Sequence, residues 1–361
     1  MNHTTIAIIV FFVTIASSVA FVLKTTELFN RLGLVDPPGP RRVHVTPVPR
    51  GLGVAIFLSF LIGVGVSYTL PVDRQSSETE RILLMVIGCA IIVGVMLVDD
   101  AVSLGPTTKL IWQAAAASII ILPRLSGAGR GIVIEQVNFP IAGTVVLPLA
   151  IAIAVTFFWF IGIMNIMNWV DGLDGLAATV TLVACVILFI HTWFGPGEFP
   201  QFTISLLPLA LMAAILGFLP FNWHPARVVM GDAGAMFLGL ALAVISIIGG
   251  AKIATALLTL GLPIADGIWV ISFRIIHGRS PLTADRGHLH HQLLDAGWGQ
   301  RRIVMCIGGL SLLFGIGSLV LPNRELKAVL LVGVGLVLAA LIAYIAARSK
   351  RLADELHTAV R

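Results

Sequence analysis

Charge is what this chain has least of. Asp, Glu, Lys and Arg make up 11% of its 361 residues, where a soluble domain carries about 25%, and mean hydropathy reaches +1.00. That scarcity argues against a soluble enzyme, a disordered chain or a collagen-like fibre. Cysteine is nearly missing too. Cys89, Cys185 and Cys306 each sit inside an apolar run, so there is no disulfide framework or zinc spacing, and buried structural thiols are expected. A P-loop and a dinucleotide-binding fingerprint are both absent. The 23 basic residues against 18 acids leave a formal charge of +5, but the cations are scattered through loops. That argues against a nucleic-acid partner, because a basic excess in a membrane chain records topology.

What the chain does have is a succession of long apolar runs. A hydrocarbon core takes roughly 20 residues per helix, and these runs are too continuous for barrel strands of about 10 alternating residues. By that ruler about 11 transmembrane helices are expected, at 4–23, 51–70, 82–98, 108–122, 145–167, 176–194, 203–219, 233–249, 253–273, 303–321 and 326–347. The fold class is all-α: a polytopic membrane helix bundle, one domain over 1–361 with a basic cytoplasmic tail at 348–361. The first run has no basic n-region or small-residue cleavage site, so it reads as a retained span. Placing the N-terminus outside puts 16 of the 23 basic residues on inner segments. The positive-inside rule therefore gives an outer N-terminus and a cytoplasmic C-terminus. Glycines and alternating Val/Ile within 124–143 predict a small outer β-hairpin.

Polar residues at the ends of these spans default to a functional reading, and they form four groups. Asp99-Asp100 closes the third span. Asn165-x-x-Asn168-x-x-Asp171-Gly-Leu-Asp174-Gly follows the fifth, and Asn222 through Gly231-Asp232-Ala-Gly234 follows the seventh. Arg279 through Asp285-Arg286-Gly-His288-Leu-His290-His291 follows the ninth. All four follow odd-numbered spans and so share the cytoplasmic face, on condition that the short fourth span crosses.

Each group has a plain reading beside a chemical one. Adjacent acids at a helix C-terminus repel each other and oppose the helix dipole; a solvated helix end would tolerate them, but Mg²⁺ binding or a general-base role explains them better. Lys109 suits a phosphate as a point charge, or a topological anchor. Asn165 and Asn168 lie one turn apart on a shared face, ahead of a helix-breaking turn that Asp could simply cap. Oxygen donors of this kind favour Mg²⁺ over zinc or iron, and a calcium loop's acidic spacing is missing. Asp232 stands where an N-cap would. The histidines lack the Cys partner and the i, i+4 spacing of a zinc site; beside arginines they fit an anionic substrate. Acids for a hard cation with Lys, Arg and His for phosphate suit phosphoryl transfer between a soluble nucleotide and a lipid acceptor. A transporter would instead place its acids near the midplane on broken helices.

In this order the four motifs resemble the polyprenyl-phosphate N-acetylhexosamine-1-phosphate transferase family, from 35 to about 297. A fifth, Leu34-Val35-Asp36-Pro37…His44-x-Thr46-Pro47-x-Pro49-Arg50, resembles the family's first cytoplasmic loop. Leu52 departs from the pattern, standing where the first Gly of a Gly-Gly pair is expected, with Gly53 as the second. The resemblance implies transfer of a sugar-1-phosphate from a UDP-sugar to undecaprenyl phosphate, with release of UMP, to initiate assembly of a cell-surface glycan. It implies Mg²⁺ as cofactor, with Mn²⁺ as a substitute. Catalytic roles fall to Asp99, Asp100, Asp232, His290 and His291, and metal ligation to Asp232 and Asn168. Substrate binding falls to Lys109, Asn165, Asp171, Asp174, Asn222, Arg279, Arg286 and His288. The pattern His288-x-His290-His291 resembles the GlcNAc-type branch, whereas the MurNAc-pentapeptide branch more typically shows three consecutive histidines. The expected partners are a UDP-N-acetylhexosamine, undecaprenyl phosphate, the lipid bilayer and a second copy in a homodimer. The expected location is the inner (plasma) membrane, with the active site facing the cytoplasm.

Overall fold

Backbone groups in hydrocarbon must be satisfied within their own segment, so apolar runs of this length fold as helices. The computed structural model describes residues 1–36, 47–127, 130–139, 143–195, 201–248, 253–280, 287–321 and 323–359. Helix α1 (His3–Leu32) leads into a two-strand ribbon, β1 (Val35–Asp36) and β2 (Val48–Pro49). Next come α2 (Gly53–Thr69), α3 (Ser76–Val102) and α4 (Pro106–Ile121), then a hairpin of β3 (Gln136–Phe139) and β4 (Gly143–Val146). The rest is helical: α5 (Leu149–Val170), α6 (Leu176–Trp193), α7 (Phe202–Asn222), α8 (Gly231–Ile248), α9 (Ile253–Thr259), α10 (Gly261–Ile276), α11 (Leu289–Asp295), α12 (Gln300–Val320) and α13 (Arg324–Ala359).

By length and composition, eight of the described helices can cross a membrane, or nine if α9 and α10 form one span bent by 74°. Two of the expected spans fall short of that measure, α2 at 17 residues and α4 at 16. The expected ninth span is not continuous, because Gly261 and Pro263 follow Leu260 where the helix breaks. The fifth starts at Leu149 rather than at 145, because β4 takes residues 143–146. The hairpin exists, displaced toward the C-terminus of its expected stretch, with Gln136 facing Val146 and Phe139 facing Gly143. The last helix runs on through the expected tail as far as Ala359.

Helix α8 is the centre of the bundle. Of its most apolar stretch 89% is buried, against 17% for α13, and it packs on α2, α3 and α5. Small residues permit those approaches: a Cβ on Gly239 would lie 2.7 Å from Met164 Cα of α5. Helix α7, the next most buried, packs on α1, α6 and α2. Cys89 and Cys185 are buried as expected, but Cys306 is only half-buried.

Candidate active site

Three backbone devices gather the polar groups at one end of the bundle. Strand β1 pairs antiparallel with β2, Val35 facing Pro49, which brings Asp36 beside Arg50. The segment before α8 then runs along β2: the Val229 N–H donates to Pro49 O (2.9 Å), and the Leu52 and Gly53 N–H groups donate to Val229 O (3.1 Å) and Met230 O (2.9 Å). The Leu52 side chain is fully buried in the core, so the departure from a Gly-Gly pair is accommodated at its first position. Gly231 turns into α8 at φ +70°, where a Cβ would lie 2.6 Å from Asp100 Oδ1. Only glycine serves there, both for its dihedral and for its size.

Asp100 caps α8 from another helix. Its carboxylate accepts the N–H groups of Asp232 (3.0 Å) and Ala233 (3.2 Å), two donors that the first turn of a helix leaves unpaired. Two cations knit the acids together. Arg50 donates from Nε to Asp100 Oδ1 (2.9 Å) and from Nη2 to Asp232 Oδ1 (3.1 Å), with Asp36 Oδ1 3.8 Å from Nη1. Lys109 Nζ lies 2.7 Å from Asp99 Oδ2 and 2.6 Å from Asp232 Oδ2. Asn168 Nδ2 reaches the same Asp232 oxygen at 3.3 Å, and Asp99 Oδ1 accepts the Leu104 N–H at 2.6 Å. Burial works against the Arg50 charge, but Asp100 and Asp232 hold the guanidinium charged more firmly than in water.

Asp171, at the C-cap of α5, faces the same cluster. Burial and the like charges of Asp232 and Asp100 push its carboxyl well above the usual range. Oxygens of Asp99, Asp100 and Asp232 all lie within 4.8 Å of one another. They are hard donors of the kind Mg²⁺ prefers. Asp99, Asp100 and Asp232 outnumber Arg50 and Lys109 by one charge, with Asp171 and Asp36 as further acids beside them, so the donor set fits a divalent cation.

Not every expected residue reaches the cluster. Asn165 exchanges amide bonds with Gln113 (2.8 and 3.3 Å) and caps Ile161 O (2.7 Å). Asp174 accepts from the Ala226 N–H (3.1 Å) and pairs with His224 Nδ1 (2.7 Å). Asn222 joins Gly175 N–H (3.1 Å) to Val228 O (2.9 Å). Asp174 and Asn222 pin the loop after α5 to the loop after α7, whereas Asn165 ties α5 to α4. Arg279 is exposed, and among the described residues its side chain joins no ion pair; Arg286 lies outside the described residues. The histidines do approach: His290 Nε2 lies against the Gly172 backbone, where any side chain would collide with it. Its Nε2 is buried with no hydrogen-bond partner among the described residues. Burial and the neighbouring His291 and His288 hold its pKa well below the usual range, so the imidazole is neutral.

Three residues carry more of the site than sequence reasoning gave them. Arg50 was read only as part of a loop motif, yet it binds two of the acids. Asp36 stands beside it. Asp266, inside α10, binds His288 Nδ1 (2.9 Å) and caps the Leu289 N–H (2.9 Å). An acid within an apolar run is itself a signal, and Asp266 was open to discovery on that ground.

The model of glycosyl transferase family 4 matches residues 82–250, a stretch that holds Asp99, Asp100, Lys109, Asn168, Asp171 and Asp232. The chain is 33% identical over 333 residues to a decaprenyl-phosphate N-acetylglucosaminephosphotransferase of Mycobacterium tuberculosis, covering 84% of this chain and 80% of that one. It is 30% identical over 337 residues to a Bacillus subtilis protein named "Probable undecaprenyl-phosphate N-acetylglucosaminyl 1-phosphate transferase", covering 90% and 88%. It is 30% identical over 326 residues to a phospho-N-acetylmuramoyl-pentapeptide-transferase of Halalkalibacterium halodurans, covering 86% and 94%.

Proposed function

The chain belongs to glycosyl transferase family 4, in its branch of polyprenyl-phosphate N-acetylglucosamine-1-phosphate transferases, and from that premise we propose that it moves GlcNAc-1-phosphate from UDP-GlcNAc to undecaprenyl phosphate. A phosphate oxygen of the lipid attacks the sugar-linked phosphorus of the donor. The bond from that phosphorus to the bridging oxygen breaks, UMP leaves with the electron pair, and the product is a lipid diphosphate carrying the sugar. The product begins a cell-surface glycan.

The observation that carries this reading is the meeting of Asp99, Asp100 and Asp232 with Arg50 and Lys109 at one end of the bundle. Phosphoryl transfer needs positioned charge more than covalent chemistry. Arg50 and Lys109 supply cations for phosphate oxygens. Asp99, Asp100 and Asp232, with Asn168 beside them, would hold Mg²⁺ or Mn²⁺, which when bound neutralises phosphate charge and polarises the phosphorus–oxygen bond. His290, neutral and buried against Gly172, belongs to the donor end with His288 and His291.

The same reading places about 11 spans in the plasma membrane. Helices α2 and α4 cross within the bundle, the N-terminus is outside, and the site faces the cytoplasm where nucleotide sugars are found. Two copies associate as a homodimer.

The test uses purified protein, undecaprenyl phosphate, Mg²⁺ and a panel of UDP-sugars that includes UDP-GlcNAc and UDP-MurNAc-pentapeptide, with UMP release measured. UMP should appear with UDP-GlcNAc only when the lipid phosphate is present, and it should vanish on exhaustive chelation. Turnover of the MurNAc-pentapeptide donor alone would overturn the assignment.

A further inference from the structure

The ends of α3 and α8 far from the aspartates enclose a second feature. Asp99 and Asp100 close the C-terminal end of α3, and Asp232 opens the N-terminal end of α8. A cavity of about 360 Å³ lies between Arg81 near the start of α3, Ile247 and Ile248 at the end of α8, and the segment leading into β3. At 1.5 Å per helical residue, Arg81 is about 27 Å from Asp99 along α3. The cavity is therefore at the opposite end of the bundle from the active site, close to the roughly 30 Å thickness of a hydrocarbon core.

The lining joins two chemistries. Ile132, Ile134 and Ile253 extend the apolar wall that Ile247 and Ile248 begin. Against it stands the half-buried Arg81, whose Nε is shielded from solvent and has no hydrogen-bond partner among the described residues. Glu135, the acid on the lining, is held instead by Arg124 Nε at 2.8 Å. A shielded guanidinium nitrogen without an acceptor is costly, and an anion entering the cavity would remove that cost. Inorganic phosphate would satisfy the guanidinium but leave the isoleucines against water. An amphiphile with a phosphate head and an acyl chain satisfies both.

We propose that this cavity is a binding site for an anionic phospholipid, its phosphodiester held by Arg81 and the first part of its chain lying on the isoleucine wall. The volume falls in the range of small-molecule pockets, roughly 300–1,000 Å³. The proposal does not depend on the transfer reaction, because its measurement is binding.

The experiment measures binding of fluorescent phosphatidylglycerol to the purified full-length protein in neutral detergent, with phosphatidylcholine and inorganic phosphate as competitors. Unlabelled phosphatidylglycerol should displace the probe, and phosphatidylcholine and millimolar phosphate should not. Arg81→Gln should weaken binding about tenfold or more, the scale of one charge-assisted hydrogen bond, and Arg81→Lys should recover part of it. Ile248→Trp, which fills the cavity and leaves Arg81 in place, should also weaken binding and serves if Arg81→Gln fails to fold. Equal affinity in wild type, Arg81→Gln and Ile248→Trp would overturn the proposal. So would equal displacement by phosphatidylcholine, whose phosphodiester is offset by choline and which would show that the site does not select an anionic lipid, or full displacement by inorganic phosphate.

Discussion

Gly53 of α2 and Gly234 of α8 pack backbone to backbone: a Cβ on Gly234 would lie 2.8 Å from Gly53 Cα, and one on Gly53 would overlap Gly234 outright. Gly234 is two residues past Asp232, so the contact sets where that acid stands. Gly53→Ala must push α2 off α8, at a cost of about 1–3 kcal/mol for overpacking. The expected result is a lower melting temperature together with a drop in turnover greater than the folded fraction accounts for.

Asp232 receives Arg50, Lys109 and Asn168 at once. Asp232→Asn keeps the shape and removes the charge. It should lower kcat by at least ~10²-fold, the scale of losing one electrostatic element in a preorganised site, in steady-state UMP release at saturating Mg²⁺.

Lys109 stands between Asp99 and Asp232, so its charge competes with a metal ion for the same oxygens. Lys109→Gln should therefore tighten the apparent Kd for Mg²⁺ while kcat falls, because the substrate phosphate loses its cation. Titrating Mg²⁺ against UMP release separates the two effects. Weaker Mg²⁺ binding in the variant would refute the competition.

The raised carboxyl of Asp171 predicts a pH signature. A carboxyl with a folded pKa above its unfolded value costs nothing below the unfolded value, about 3.9. It costs stability progressively as pH rises toward and through the folded value. Asp171→Asn removes that cost. In thermal melts without added metal, the variant should exceed wild type at pH 8, and the difference should disappear near pH 4.

The proposed topology places Ser103, after α3, and Ser280, after α10, on one face, with Ser77 at the start of α3 on the other. Cysteines at Ser103 and Ser280 should label only from the cytoplasmic side, and one at Ser77 only from outside. Labelling of the first two from opposite sides would break the single-site arrangement.

The acids of the site were legible because charge in so apolar a chain stands out: Asp99, Asp100, Asp232 and Asp171 were all found without coordinates. Arg50 was less visible because nothing local marks it. Its role comes from β1–β2 pairing and from the 228–230 segment running alongside, contacts that join residues 182 apart. Hydropathy read 253–273 as one span because Gly261 and Pro263 barely lower a window of Ile, Leu and Ala. The break they cause is a backbone effect, and it carries Asp266 toward His288. The roles expected for Asn222 and Asp174 rested on their company in motifs, whereas the fold uses their side chains to tie loops.

The bond from the Asp232 N–H to Asp100 spans 132 residues, and this separation has a consequence in time. A ribosome adds about 5–20 residues per second, so roughly 7–26 s pass between the synthesis of Asp100 and that of Asp232. Through that interval Asp99 and Asp100 are already in the emerging chain and α8 is not. Arg50, made 50 residues before Asp100, is the one member of the pair of cations that has been synthesised when the two acids appear; Lys109 follows at once. The N-terminal third of the protein thus brings its own counter-charges to the two acids before Asp232 exists, and the cluster is complete only once α8 is packed against α2, α3 and α5.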